Sequence, residues 1–276
     1  MGWQDHSVTA EPAADPRTAE IAANLADVRR RISVACAAAG RGDTEPTLIA
    51  VTKTFPVADA HRLVQLGALD LGENRDQEAR TKAAELADLL AATQAGDATQ
   101  AGGAGQAGGA GQDGVVRPRW HFVGRLQRNK CRSVGGYAAV VHSVDRPELL
   151  DPLAAGVDRS GRSPMDVLIQ VSLDGDVARG GVLPVDLPEL ADAVAGTEHL
   201  RLAGVMAVAP RYGDPDEAFA RLAEISAALR AVHPAAAAIS AGMSGDLESA
   251  IRHGATHVRI GTALLGGRSP SSGYCP

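Results

Sequence analysis

Aromatic residues are scarce in this chain: three Phe, three Tyr and two Trp make up 3% of 276 residues. The core must therefore be built mainly from Ala, Val, Leu and Ile. Long apolar runs are also missing; none approaches the roughly 20 residues that would span a bilayer, which argues against a membrane protein. There is no basic block either. Lys and Arg number 27 against 33 Asp and Glu, a net charge of −6, which leaves no electrostatic footprint for nucleic acid or an anionic membrane surface. Cys36, Cys131 and Cys275 are odd in number and far apart, with neither metal-ligand spacing nor a disulfide framework. The opening MGWQDHSVTAEPAAD is polar and acidic, unlike a signal or transit peptide, and His6 stands where a myristoylation signal needs Ser or Thr. A reducing cytoplasm is the expected location. No HExxH, GxSxG or Walker pattern occurs.

What is present is alternation. Strand-like segments begin near Leu48, Leu69, His121, Val140, Val167, Leu202, Ala238 and His257, and several, such as VLIQV and LAGVMAV, are nearly continuous apolar runs. Such runs suit parallel strands buried on both faces. The segments between them are amphipathic. Asp15-Pro16 offers an N-cap with Pro at the first helical position, followed by Ile21, Leu25, Val28 and Ile32 and stopped at Gly40. Asp214-Pro215-Asp216-Glu217 has the form of a capping box, continued by Phe219, Leu222, Ile225, Leu229 and Val232. A further helix is expected from Ser244 to His253, closed by Gly254.

Eight strands alternating with helices indicate a single (β/α)8 TIM barrel with an extra N-terminal helix, an open doubly wound sheet being the other arrangement compatible with the pattern. The expected organisation is a disordered leader over 1–15, a barrel over 16–268 and a tail over 269–276. Residues 94–114 are a low-complexity Gly/Ala/Gln insertion, expected to be a surface loop because it cannot bury enough apolar area to offset its ordering entropy. Gly103, Gly105 and Gly108 in it spell GxGxxG, but without a preceding strand or following apolar helix the match is empty.

On a barrel the residues just past each strand gather at one mouth. Lys53 follows the first strand, and Glu73 and Asn74 close the second. Met206 and Ala207 end the sixth, Ser240-Ala241-Gly242-Met243-Ser244 follow the seventh, and Arg259-Ile260-Gly261-Thr262 the eighth. The last two are small-residue turns where barrels hold phosphates. Gly242 allows close backbone approach, and Ser244 is placed either as a hydroxyl donor or simply as an N-cap. A lysine that can form a Schiff base, with a phosphate cradle on the same rim, suggests pyridoxal 5′-phosphate (PLP); a class I aldolase acting on a sugar phosphate would use the same parts. Arg259 beside a pyridine nitrogen would stay charged and donate, leaving the ring unprotonated and a weak electron sink, though position alone also allows a surface ion pair. His121, inside a strand, is expected to be a hydrogen-bonded core residue. Arg125, Arg128, Lys130 and Arg132 suit a solvated helix face, and DGDVARGG (174–181) a flexible loop that could cover the mouth.

The motifs VTKTFP, LGENRDQEA, WHFVGRLQRNK, HSVD, LAGVMAV and ISAGMSGDLESAIRHGATHVRIGTALLG span nearly the whole chain from residue 48 onward, in order. Together they resemble the pyridoxal phosphate homeostasis proteins. The resemblance implies a single-domain barrel of the alanine racemase N-terminal-domain type with PLP on Lys53. By the same resemblance Ser240, Gly242, Ser244, Gly261 and Thr262 surround the phosphate, Arg259 faces the pyridine nitrogen and Asn74 lines the pocket. Three positions depart from the family pattern: Arg75 replaces an aromatic, Ala241 a methionine and Arg179 a lysine. The implied role is PLP supply without turnover, with PLP-dependent apo-enzymes as recipients and a monomer as the expected state. The competing role is a racemase or decarboxylase of the same barrel. Two-base racemisation needs a proton donor on each face of the cofactor, and Tyr274 is the only tail residue placed to offer one.

Overall fold

The computed structural model describes residues 15–42, 44–100 and 117–267. Eight strands run β1 (Thr47–Val51), β2 (Asp70–Glu73), β3 (Arg119–Phe122), β4 (Val140–Val144), β5 (Met165–Gln170), β6 (Leu200–Met206), β7 (Ala238–Ser240) and β8 (His257–Ile260). Each pairs in parallel with the next, and β1 also pairs with β8, so the sheet closes into a barrel. A closed parallel sheet has no edge, and the helices between strands cover its outer face. The barrel reading holds, and the open sheet is excluded.

The helices follow their capping chemistry. Helix α1 (Pro16–Ala38) begins where the Asp15 carboxylate accepts from the Arg17 N–H at 3.3 Å, and it buries Ile21, Leu25, Val28 and Ile32. This extra helix runs along the outside of the barrel beside β8: Arg17 donates to the Leu265 carbonyl beyond one end of that strand, Arg31 pairs with Glu248, and Arg41 donates to the Ala255 carbonyl before the other end. In order follow α2 (Val57–Gln65), α3 (Asp76–Gln100), α4 (Cys131–Tyr137), α5 (Leu150–Ser160), α6 (Leu187–Ala195), α7 (Pro215–Val232), α8 (Leu247–Arg252) and α9 (Thr262–Leu265). The Asp214 carboxylate caps α7 by accepting from the Asp216 N–H at 2.9 Å. Phe219, Leu222 and Leu229 of that helix are buried, but Val232 is exposed because the chain turns away at His233.

Two boundaries differ from expectation. Helix α3 continues to Gln100, so the first residues of the 94–114 segment are helical; Ala, Gln and Thr carry a helix already started past the single Gly96, whereas the other glycines come later. Residues 101–116, with the GxGxxG match, lie outside the described residues, as do 1–14 and the tail with Tyr274 and Cys275. Helix α8 starts at Leu247, three residues after Ser244, because the Asp246 carboxylate accepts from the Met243 N–H at 2.6 Å and folds the intervening residues into a turn. Gly254 closes α8 at φ +87°, as a left-handed C-terminal residue should.

Aliphatic residues fill the core almost alone, Phe219 being the only aromatic among the largest fully buried side chains of the described residues. Cys36 and Cys131 are free and buried, and burial pushes the Cys131 thiol up to about 11, which keeps it inert. No helix of the described residues is long and apolar enough to cross a membrane.

Candidate functional site

Strand β1 ends at Val51, and its ladder carries one step further where the Thr52 N–H donates to the Gly72 carbonyl at 2.9 Å. Lys53 then leaves the sheet at the C-terminal rim of the barrel, partly exposed. Its neighbour Thr54 sits at φ +69°, a left-handed conformation that a β-branched residue adopts only when its surroundings impose it. The cause is Glu78 on α3, whose carboxylate accepts from the Thr54 N–H at 2.5 Å. The turn carrying Lys53 is thus held by a helix rather than by its own preference.

Glu78 belongs to a buried polar group that the sequence did not announce. The Lys82 ammonium, 5% exposed, donates to the Thr52 carbonyl at 2.8 Å, to Glu73 Oε1 at 2.5 Å and to Glu78 Oε1 at 3.1 Å. The Thr52 hydroxyl also donates to Glu73 Oε1, at 2.7 Å. Burial pushes the Glu73 carboxyl up against the opposing pull of Lys82. Lys at a helical position normally marks a solvated face, and only the i,i+4 spacing of Lys82 from Glu78 hints at a partner in the sequence.

Next to this rim stand the two small-residue turns. Gly242 has φ +89°, and a Cβ there would come 2.7 Å from the Ala250 Cβ, so only glycine lets this turn lie on α8. Ser244 does not cap α8; its hydroxyl accepts from the Ala263 N–H at 3.3 Å and ties the β7 turn to the β8 turn. Gly261 lies against Val51 of β1, two residues from Lys53, and Thr262 is exposed at the start of α9. With six and four residues, α8 and α9 contribute at this rim through their turns rather than through long helical dipoles. Asn74 follows β2, where Gly124 approaches so closely that a Cβ would lie 2.2 Å from the Asn74 carbonyl oxygen. Its own side-chain Oδ1 is buried without a partner. Met206 is the last residue of β6 and packs inside the barrel with Val140 and Leu168.

Arg259 is 6% exposed and far from a surface ion pair: no carboxylate of the described residues lies within salt-bridge distance of it. Its Nη2 donates to the Ala207 carbonyl at 2.9 Å, and its Nη1 to the Ser240 hydroxyl at 2.6 Å. Burial lowers even this guanidinium, to about 10. The Ser240 oxygen also lies 2.9 Å from His142 Nδ1, so its one hydroxyl proton and its lone pairs are engaged inside the barrel. Ser240 is completely buried and joins Arg259 to His142.

His142 Nε2 lies 2.9 Å from His121 Nδ1, and His121 Nε2 lies 2.8 Å from Asp70 Oδ1. His121 is the hydrogen-bonded core residue expected of it. Arg179 is likewise committed: it pairs with Asp174 and donates to the Ala209 carbonyl at 2.6 Å, pinning the loop after β5 to the segment after β6.

The rim presents an amine, glycine-lined turns, a buried cation without a carboxylate and a buried amide oxygen without a partner. These fit a compact anionic ring compound such as PLP. The class of protein follows from the frame: a model of the alanine racemase N-terminal domain matches residues 20–269. The chain belongs to the family of pyridoxal phosphate homeostasis proteins, which are built on that domain. The Mycobacterium tuberculosis protein of that name is 42% identical over 260 residues, spanning 91% of this chain and 94% of its own. The Escherichia coli K12 protein of that name is 36% identical over 256 residues, spanning 91% and 98%. Among solved structures, PipY of Synechococcus elongatus with PLP bound superposes with a TM-score of 0.68 at 29% identity, covering 89% of this chain and all of PipY.

Proposed function

We propose that this protein binds PLP at the C-terminal rim of the barrel and keeps it available to other proteins without turning over a substrate of its own. The observation that carries this reading is the placing of Lys53 just past the end of β1 beside Arg259 on the adjacent strand β8, an amine and a buried cation with no carboxylate of the described residues in salt-bridge distance. When bound, the cofactor supplies an aldehyde that a lysine amine can capture. Lys53 would hold it covalently. Gly242, Ser244, Gly261 and Thr262 would receive the phosphate through backbone N–H groups and hydroxyls. Arg259 would donate to the ring nitrogen, and Asn74 would line the pocket. A permanently charged donor at that nitrogen discourages ring protonation, which favours holding the cofactor over using it as an electron sink. The names of the relatives and the PLP in PipY support the same reading. A cytoplasmic monomer delivering PLP to apo-enzymes completes the proposal.

The test is borohydride reduction of PLP-treated protein followed by peptide mass spectrometry. A pyridoxyl mass on the Lys53 peptide, lost in Lys53→Ala, is the expected result; unchanged labelling in the variant would overturn it. Alanine and ornithine turnover, expected to be absent, separates a carrier from a racemase or decarboxylase.

A further inference from the structure

The cofactor reading leaves Asp70, His121 and His142 without a task, although they occupy the centre of the barrel. His142 is on β4 and Ser240 on β7, strands that are not neighbours, so their contact crosses the interior. The chain Asp70–His121–His142–Ser240–Arg259 runs from the first residue of β2, at the N-terminal end of the barrel, to the rim that carries Lys53. Its members are 0–6% exposed except Asp70, whose side chain is 19% exposed.

The ends of this chain fix its direction. A carboxylate only accepts and a guanidinium only donates. With both imidazoles neutral, Asp70 requires a proton on His121 Nε2, so His121 Nδ1 accepts. His142 must then donate from Nε2, and its Nδ1 accepts from the Ser240 hydroxyl. The lone pairs of Ser240 are left for Arg259. Every bond is satisfied in one arrangement only, and reversing either imidazole sets two donors or two acceptors face to face. Burial, first of all, drives both histidines below their ordinary value and so keeps them neutral. The other charged and titratable groups facing the chain are Arg119 on β3, Asp166 on β5, His257 on β8 and, toward Arg259, Asp246 in the turn after β7.

We propose that Asp70, His121 and His142 are positioning residues: they hold the Ser240 hydroxyl turned away from Arg259, and so set the guanidinium that the cofactor's ring nitrogen meets. This rests on the reading that Arg259 faces that nitrogen. Without the Asp70 acceptor, His121 is free to move its proton to Nδ1, the chain reverses, and the Ser240 proton competes with Arg259 Nη1.

Long-range 1H–15N NMR of histidine-labelled, cofactor-free protein at pH 7 tests the chain without any variant. Both His121 and His142 are expected as neutral Nε2–H tautomers; a charged ring or an Nδ1–H form at either overturns the proposal. Asp70→Ala should mix the tautomers and weaken PLP binding, followed by fluorescence, about tenfold, the scale of one lost hydrogen bond to a charged group. Asp70→Asn, which retains an accepting oxygen, should restore most of the affinity. If Asp70→Ala changes neither the tautomers nor PLP affinity, the proposal fails. If Asp70→Ala does not fold, the unmodified protein's tautomers decide. Continued labelling of Lys53→Ala would remove the cofactor reading while leaving the tautomer result standing, so the two failures are distinguishable.

Discussion

Lys82 is almost wholly buried, and its ammonium is bonded to two carboxylates and a backbone carbonyl beneath the turn that bears Lys53. Replacing it by methionine would leave Glu73 buried without a cation. Removing one partner of a buried pair costs about 3–5 kcal/mol, far more than loss of a surface pair. Lys82→Met is therefore expected to lower the urea-unfolding free energy by about 3 kcal/mol or more. Because the same ammonium holds the Thr52 carbonyl, Lys53 should also label more slowly with PLP in that variant, as followed by absorbance. Substitution of Lys130, a half-buried lysine with no ion pair among the described residues, should change neither. The contrast between the two lysines was invisible in the sequence, since side-chain burial depends on which helix face meets the barrel.

Among the elements, the turn after β7 does most to shape the rim. Gly242 combines a left-handed backbone with contact against Ala250, so Gly242→Ala imposes both strain and overlap. The expected outcome is a loss of about 2–3 kcal/mol of stability in thermal or urea unfolding, together with weaker PLP binding, since the turn must shift away from α8. Turn and strand positions were legible in the sequence: ISAGMSGD and HVRIGT sit at the ends of β7 and β8, and Lys53 at the end of β1. The start of α8 was not. Ser244 has the right chemistry for an N-cap, but Asp246 captures the Met243 N–H first and moves the helix start to Leu247. A competition between two nearby capping side chains is decided by local geometry, to which spacing is blind.

At the scale of the whole molecule, the barrel interior makes stability depend on pH. His121, His142 and His257 are all depressed by burial, His257 to about 4. Each therefore binds a proton more readily in the unfolded chain, and stability is lost as pH falls below 6.5, their ordinary value. Each contributes about 1.4 kcal/mol per pH unit through its window, so the three together give a slope of up to about 4 kcal/mol per unit. Asp70, raised by burial but brought below its ordinary value by His121 and nearby cations, adds to the loss at still lower pH. Glu73, pushed up, acts in the opposite sense. Urea midpoints measured from pH 7 to pH 5 should fall steeply, and His142→Phe, with no proton to bind at that position, should show a shallower fall; equal slopes would refute the assignment.

The amino-acid order alone determined the alternation of strand and helix, the placing of Lys53, Asn74, Gly242, Arg259 and Gly261 at strand ends, and the kinship of the chain. These are consequences of local periodicity, capping and short motifs, which act between residues close in sequence. Only the closed barrel decided that Arg259 is buried without a carboxylate, that Ser240 serves it, that Lys82 lies under the Lys53 turn, and that two histidines join Asp70 to the rim. Those contacts link residues from 9 to 98 positions apart, and they exist because closing the sheet turns one face of every strand toward a common, water-free axis where each polar group must find a partner.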